Sequence, residues 1–155
     1  ALIHAELNSR MAMRNPGCGP FDLIAGVPFG GLHIATCFSL SCDKPLIYVK
    51  SVDGDRDQKG IEGRFLPGHP VIIVDDLITA GGSMLRTAEV LRGEGLEVTD
   101  AVALVDREQG ATERVRRSGI NLISILEFTT MLNYYNGGRL DRRMKFQEEF
   151  GVHLE

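Results

Sequence analysis

The run Val74-Asp75-Asp76-Leu77-Ile78-Thr79-Ala80-Gly81-Gly82-Ser83 joins a strand end, two carboxylates, a glycine turn and a helix start. Val71-Ile72-Ile73-Val74 has the β-branched density of a strand covered on both faces, which puts the acidic pair at its C-terminal end. Ligands of open parallel sheets bind at that end, where carboxylates accept hydrogen bonds from the vicinal hydroxyls of a sugar. Thr79 to Ser83 can curl backbone N–H groups around a phosphate, helped by the hydroxyls of Thr79 and Ser83 and by the positive end of the following helix. Hydroxyls at one end and phosphate at the other describe a ribose 5-phosphate site. A plain strand-turn-helix would use the same residues as turn formers, but it needs neither the paired carboxylates nor the spaced hydroxyls. No Walker A Gly-Lys-Ser/Thr and no Gly-x-Gly-x-x-Gly occurs.

Two further loops carry unusual chemistry. Gly26-Val27-Pro28-Phe29-Gly30-Gly31 can present consecutive N–H groups at a helix start, a nest for an anion, although the same turn could be a mere helix entry. Asp106-Arg107-Glu108-Gln109-Gly110 offers a guanidinium, whose fork suits a flat acceptor with paired oxygens, although an isolated Asp-Arg-Glu is most often a solvated charge cluster.

The elements that must position these loops alternate. Strands are expected at Phe21 to Gly26, Pro45 to Lys50, from Val71, at Val98 to Val105 and at Ile120 to Leu126. Helices are expected at residues 1–13, Leu32 to Leu40, after the signature with Met84, Leu85, Ala88 and Leu91 as the buried stripe, Thr112 to Arg117, Thr129 to Tyr135 and Asp141 to Phe150. The pattern implies an α/β domain, residues 1–155, with a mostly parallel central sheet and helices on both faces. The Pro28, Lys50, Asp75 and Asp106 loops should meet at its C-terminal edge. The connection from Ser51 to Gly68 is polar and without apolar period, the character of a flexible lid at about 51–68.

Composition narrows the partners. At 155 residues the chain is long enough for one real core, and a net charge of −4 argues against broad nucleic-acid or membrane binding. Small-molecule substrates and a second copy of the chain are the partners to expect. Cys18, Cys37 and Cys42 form no Cys-x-x-Cys pair, which fits a reducing, cytoplasmic setting. His4, His33, His69 and His153 lack metal-ligand spacing, so a metal would more readily arrive with a phosphorylated substrate, as magnesium does.

The signature resembles the phosphoribosyl-diphosphate (PRPP) motif of type I phosphoribosyltransferases. From Ser9 onward the chain resembles orotate phosphoribosyltransferase, and in particular the corresponding domain of bifunctional uridine monophosphate synthases. Phe21-Asp22 through Gly26-Val27-Pro28-Phe29, the signature, Glu94-Gly95-Leu96-Glu97-Val98-Thr99-Asp100-Ala101 and Asp106-Arg107-Glu108-Gln109-Gly110 carry the likeness, the last block discriminating most. The resemblance implies Mg2+-dependent transfer of ribose 5-phosphate from PRPP to orotate in pyrimidine biosynthesis. It assigns PRPP to Val27, Pro28, Phe29, Gly30, Lys50, Asp75, Asp76, Leu77, Thr79, Ala80, Gly81, Gly82 and Ser83, with Lys50 and the acidic pair as the catalytic set. Orotate falls to Thr79 and Arg107. A homodimer and an orotidine monophosphate decarboxylase domain or subunit are the partners it implies.

Two departures from the family pattern stand out. The family lid reads Arg-Lys-Glu-x-Lys-x-His/Tyr-Gly, whereas this chain reads Val49-Lys50-Ser51-Val52-Asp53-Gly54-Asp55-Arg56, so that only Lys50 matches and Arg56 or Lys59 become the candidates for the lid cation. The base-capping N-terminal hood segment of the family is not found in residues 1–155, which reads as a truncated chain. These departures motivate the alternative of a non-catalytic homologue that binds PRPP or a nucleotide as a regulator or accessory subunit, and they lead us to expect slow turnover or none from this chain alone.

Overall fold

A computed structural model describes Ala5, residues 18–50 and residues 60–135. Apart from Ala5, the helices expected at 1–13 and 141–150 lie outside the described residues, as do the lid candidates Arg56 and Lys59. In chain order the elements are β1 (Leu23–Gly26), α1 (Gly30–Cys42), β2 (Leu46–Lys50), β3 (Gly60–Glu62), β4 (Pro70–Ile78), α2 (Gly82–Gly93), β5 (Glu97–Asp106), α3 (Ala111–Arg117), β6 (Asn121–Glu127) and α4 (Phe128–Tyr135).

The six strands form one sheet in the order β3-β2-β1-β4-β5-β6. Every pairing is parallel except β2 with β3. From β1 the chain moves to β2 on one side; from β4 it moves through β5 to β6 on the other. Right-handed crossovers running in opposite directions must place their helices on opposite faces. Accordingly, Ala35 and Phe38 of α1 pack on Ile24, Ile72, Val74, Val102 and Ile123. Met84, Ala88 and Leu91 of α2, with Ala111 and Val115 of α3, pack on Leu23, Ala25, Val71, Ile73, Ala101 and Ala103. Alternate residues of β4 therefore serve two cores, and this explains why its sequence is uniformly apolar rather than alternating.

Several boundaries differ from those expected. The signature strand does not stop at Val74 but runs through the acidic pair to Ile78, because β5 continues beside it to the pair Ile78–Asp106. The first strand is shorter than expected, starting at Leu23, and α1 is longer, starting at the glycines of the Pro28 turn. The buried stripe of α2 includes Thr87, while Leu85 is only partly buried. Within the connection expected to be polar throughout, Gly60–Glu62 forms β3 as an antiparallel edge strand. Its one apolar residue, Ile61, sits opposite Val49 and packs on the core, enough to seat three residues that have no apolar period.

Ile72 is fully buried in the centre of β4, among side chains of α1, β1, β5 and β6. Ile72→Ala should lower the unfolding free energy by about 2–5 kcal/mol, measured by urea denaturation. A loss below about 1 kcal/mol would show that this strand is not the shared floor of two cores.

Candidate functional site

The strand order makes β2, β1, β4 and β5 consecutive, so Lys50, the Pro28 turn, the acidic pair with its glycine loop and Arg107 leave neighbouring strands at one edge of the sheet. The chain reverses its direction of winding between β1 and β4, and the crevice at such a switch point is where open α/β sheets bind ligands.

The acidic pair stands in that crevice. The β1–β4 ladder ends at Gly26–Val74, whereas the β4–β5 ladder continues past it. Asp75 and Asp76 thus lie on a strand held from one side and open on the other. Asp75 is only 6% exposed, and its Oδ1 accepts the N–H of Asp76 at 2.9 Å; Asp76 Oδ1 accepts the N–H of Leu77 at 2.8 Å. Among the described residues no Lys, Arg or His forms an ion pair with either carboxylate. Burial first, and then the Asp76 carboxyl beside it, pushes Asp75 up to about 7. An uncompensated pair of this kind, one carboxyl buried and its neighbour half-buried, is suited to neutral donors such as sugar hydroxyls, which satisfy lone pairs without adding a charge.

The Pro28 turn is fitted closely around the pair. A Cβ on Gly31 would lie 2.8 Å from the carbonyl oxygen of Val74 and 3.1 Å from Asp75 Oδ1, and a Cβ on Gly30 would collide with the Asp76 carboxylate. Gly31 is therefore dictated by its approach to the β4 backbone, while Gly30 lies against the Asp76 carboxylate. Val27 N–H extends the sheet by donating to Val74 at 2.9 Å, the Pro28–Phe29 peptide is cis, and the Phe29 ring is exposed. Among the described residues the N–H groups of Phe29, Gly30 and Gly31 have no acceptor.

The glycine loop ends in α2 with Gly81 as N-cap at φ +74°, where a Cβ would also come within 2.9 Å of Val115. Neither α1 nor α2 has a side-chain cap or an acidic residue in its first turn. Helices commonly satisfy their first N–H groups with Ser, Thr, Asp or Asn. Here two neighbouring helix starts leave them open, an arrangement that favours anions. The N–H groups of Ala80, Gly81, Gly82 and Ser83 have no acceptor among the described residues.

Arg107 continues the ladder beyond β5 by donating its N–H to Ile78 at 3.0 Å, so it leaves the sheet next to Thr79. Its side chain makes no hydrogen bond or ion pair among the described residues. The residues around it brace the loop. The buried Asp106 carboxylate accepts from Glu108 N–H at 2.8 Å, Thr112 at 3.1 Å and Ser124 at 3.3 Å. Glu108, in left-handed conformation at φ +57°, accepts Thr129 N–H at 2.6 Å at the start of α4. Lys50 reaches the same edge, but its ammonium is 3.4 Å from Glu62 across the β2–β3 pair, half-exposed and weakly held.

Sequence reasoning missed Asp106 and Glu108 as braces, and it missed two arginines at the glycine loop. Arg86 donates to Ser83 Oγ at 3.1 Å and Arg114 to the Ala80 carbonyl at 3.2 Å. The Ser83–Arg86 spacing on a helix was a usable signal; Arg114 is 34 residues from Ala80, and nothing local marks it. Among the described residues no group of three or more His, Cys, Asp or Glu could hold a metal ion, and no helix is long and apolar enough to cross a membrane.

Comparison with known proteins agrees with this arrangement. Residues 14–128 match the phosphoribosyl transferase domain. The chain is 38% identical over 107 residues to orotate phosphoribosyltransferase of Pyrococcus abyssi, covering 68% of this chain and 59% of that protein. It is 41% identical over 113 residues to uridine 5'-monophosphate synthase of Bos taurus, covering 72% of this chain and 24% of that one. The crystal structure of orotate phosphoribosyltransferase from Aeropyrum pernix superposes with a TM-score of 0.71 at 37% identity, over 77% of this chain and 67% of that one. The chain thus spans little more than half of the archaeal relative and a quarter of the synthase.

The position of Asp75 has a thermodynamic signature. An unfolded aspartate titrates near 3.9, so between roughly pH 4 and 7 the folded state holds a proton that the unfolded state has lost. Folding stability contributed by this group falls with rising pH across that window, and the cost is complete above the folded value of about 7. Asp75→Asn should therefore raise Tm at pH 8 by at least about 2 °C while changing it little at pH 4. Equal shifts at both pH values would mean that Asp75 is not held protonated by its burial.

Proposed function

The chain belongs to the phosphoribosyl transferase domain family, and from that premise we propose that it transfers ribose 5-phosphate from PRPP to orotate, giving orotidine 5'-monophosphate and pyrophosphate. The observation that carries the reading is the juxtaposition, on one strand and the turn that follows it, of an uncompensated carboxylate pair and a row of unpaired N–H donors at an uncapped helix start. Asp75 and Asp76 would hold the ribose hydroxyls, and Thr79 to Ser83 the 5-phosphate. Within the Pro28 turn the N–H of Val27 is spent on Val74 and Pro28 has none, so the open N–H groups of Phe29, Gly30 and Gly31, with Lys50, would receive the diphosphate. Arg107, beside Thr79, would pair with the carbonyl or carboxylate side of the base.

Chemistry of this kind asks little of a nucleophile. As the bond to the diphosphate lengthens, positive charge develops at the anomeric carbon, and orotate is already an anion able to attack it. The protein's own contribution is to align the two, to stabilise the departing charge with fixed N–H dipoles, and to keep water out. An acidic pair beneath the ribose would also place negative potential near the carbon that becomes positive. Magnesium, arriving on the diphosphate, would neutralise part of the leaving group's charge. The donor set fits that role, since a magnesium ion held mainly by phosphate oxygens and water needs only one or two carboxylates.

A homodimer, a cytoplasmic location and association with an orotidine monophosphate decarboxylase domain belong to the same proposal. Support for the last is that the chain is similar to part of the bovine uridine 5'-monophosphate synthase and to part of a bifunctional enzyme of Nostoc.

Arg107→Ala should weaken orotate by roughly 10–100-fold, the loss of a charge-assisted pair of about 1.5–3 kcal/mol, while PRPP affinity changes less than about 3-fold. Calorimetry with each substrate in the presence of magnesium separates the two. Unaltered orotate affinity in a folded variant, or equal use of uracil and orotate by the unmodified chain, would contradict the assignment of the base.

A further inference from the structure

The glycine loop is approached from behind by two guanidinium groups, one from each of the helices flanking it. Arg114, on α3, donates through Nη1 to the carbonyl oxygen of Ala80 at 3.2 Å. Arg86, on α2, donates through Nη2 to the hydroxyl oxygen of Ser83 at 3.1 Å. Neither is in an ion pair among the described residues: Glu113, next to Arg114, is taken by Arg116 and Arg117 at 3.1 Å each. Two cations are therefore directed to acceptors of a loop with no carboxylate of its own.

Each bond fixes the direction of a donor. A trans peptide is planar, with its C=O and N–H pointing oppositely. Holding the Ala80 carbonyl toward α3 turns the Gly81 N–H to the other side of the loop, where it has no acceptor among the described residues. A hydroxyl that accepts a bond from a guanidinium keeps its own proton for another acceptor, so Ser83 is left able to donate. Charge-assisted bonds also polarise the groups they reach, strengthening the donors opposite them.

We propose that Arg86 and Arg114 are positioning residues for the phosphomonoester of the substrate, aiming the Ser83 hydroxyl and the Gly81 N–H at it without touching it. This rests on the assignment of Thr79 to Ser83 to the 5-phosphate, and it adds a polarised second layer that the signature motif does not contain.

The test uses the full 155-residue chain and the variants Arg114→Met, Arg114→Lys and Arg86→Met, with ribose 5-phosphate and pyrophosphate as separate probes. Each Met variant should weaken ribose 5-phosphate by roughly tenfold, equivalent to about 1.4 kcal/mol, with pyrophosphate affinity changed less than about 3-fold. Arg114→Lys, which keeps a charged donor, should recover most of the loss. Arg86 and Arg114 are both exposed, and a thermal melt of each variant checks the fold. Unchanged ribose 5-phosphate affinity in both Met variants overturns the proposal while leaving the phosphate site itself standing. Equal weakening of both probes also overturns it, reducing the arginines to general electrostatic attraction. Failure of the unmodified chain to bind ribose 5-phosphate would remove the underlying site, and the proposal with it.

Discussion

The site depends on a mismatch between two hydrogen-bond ladders. On one side β4 loses its partner at Val74, where β1 ends at Gly26 and turns away; on the other it stays paired with β5 as far as Ile78. The last four residues of β4 are thereby rigid enough to fix two carboxylates and open enough to present them. The Pro28 turn lies beside the open end of β4, and Gly31 lets its backbone settle against that of Val74 and Asp75, where a Cβ would crowd the strand. Lengthening β1 by two pairs would carry the ladder past Asp75 and Asp76, and ending β5 early would leave them on a loop.

Around that strand the electrostatics divide cleanly. The acidic pair, Asp75 buried and Asp76 half-buried, has no cation partner among the described residues, while the first N–H groups of two helix starts are left open beside it. A ligand with hydroxyls in its middle and phosphates at its ends satisfies both halves at once. The free protein carries the cost: a carboxyl pushed up to about 7 by burial and unpaired backbone donors. Such groups are tolerated because two cores hold the strand beneath them, and in the proposed reading the substrate would supply the partners that the fold withholds.

Much of this was legible in the sequence, for identifiable reasons. The uninterrupted apolar run at Val71 to Val74 signalled a strand covered on both faces, and the Thr79 to Ser83 spacing signalled the loop after it. Strand alternation placed the four loops at one edge, and the order β2-β1-β4-β5 makes them neighbours in that sense. What escaped the sequence was set by tertiary contact. The continuation of β4 through two aspartates has no basis in strand propensity, which disfavours Asp, and follows from the partner strand alone. Ile61 forms an edge strand because Val49 is opposite it. The bracing of Arg107 by Asp106 and Glu108 depends on Thr112, Ser124 and Thr129, which lie on later elements.

The central claim is spatial: ribose hydroxyls on Asp75 and Asp76, and phosphate on the loop that follows. A crystal structure of the chain with bound ribose 5-phosphate tests it directly. The account predicts phosphate oxygens within hydrogen-bond distance of the N–H groups of Gly81, Gly82 and Ser83, and the two ring hydroxyls on the acidic pair. Phosphate bound elsewhere on the surface, with the acidic pair facing only water, would contradict it.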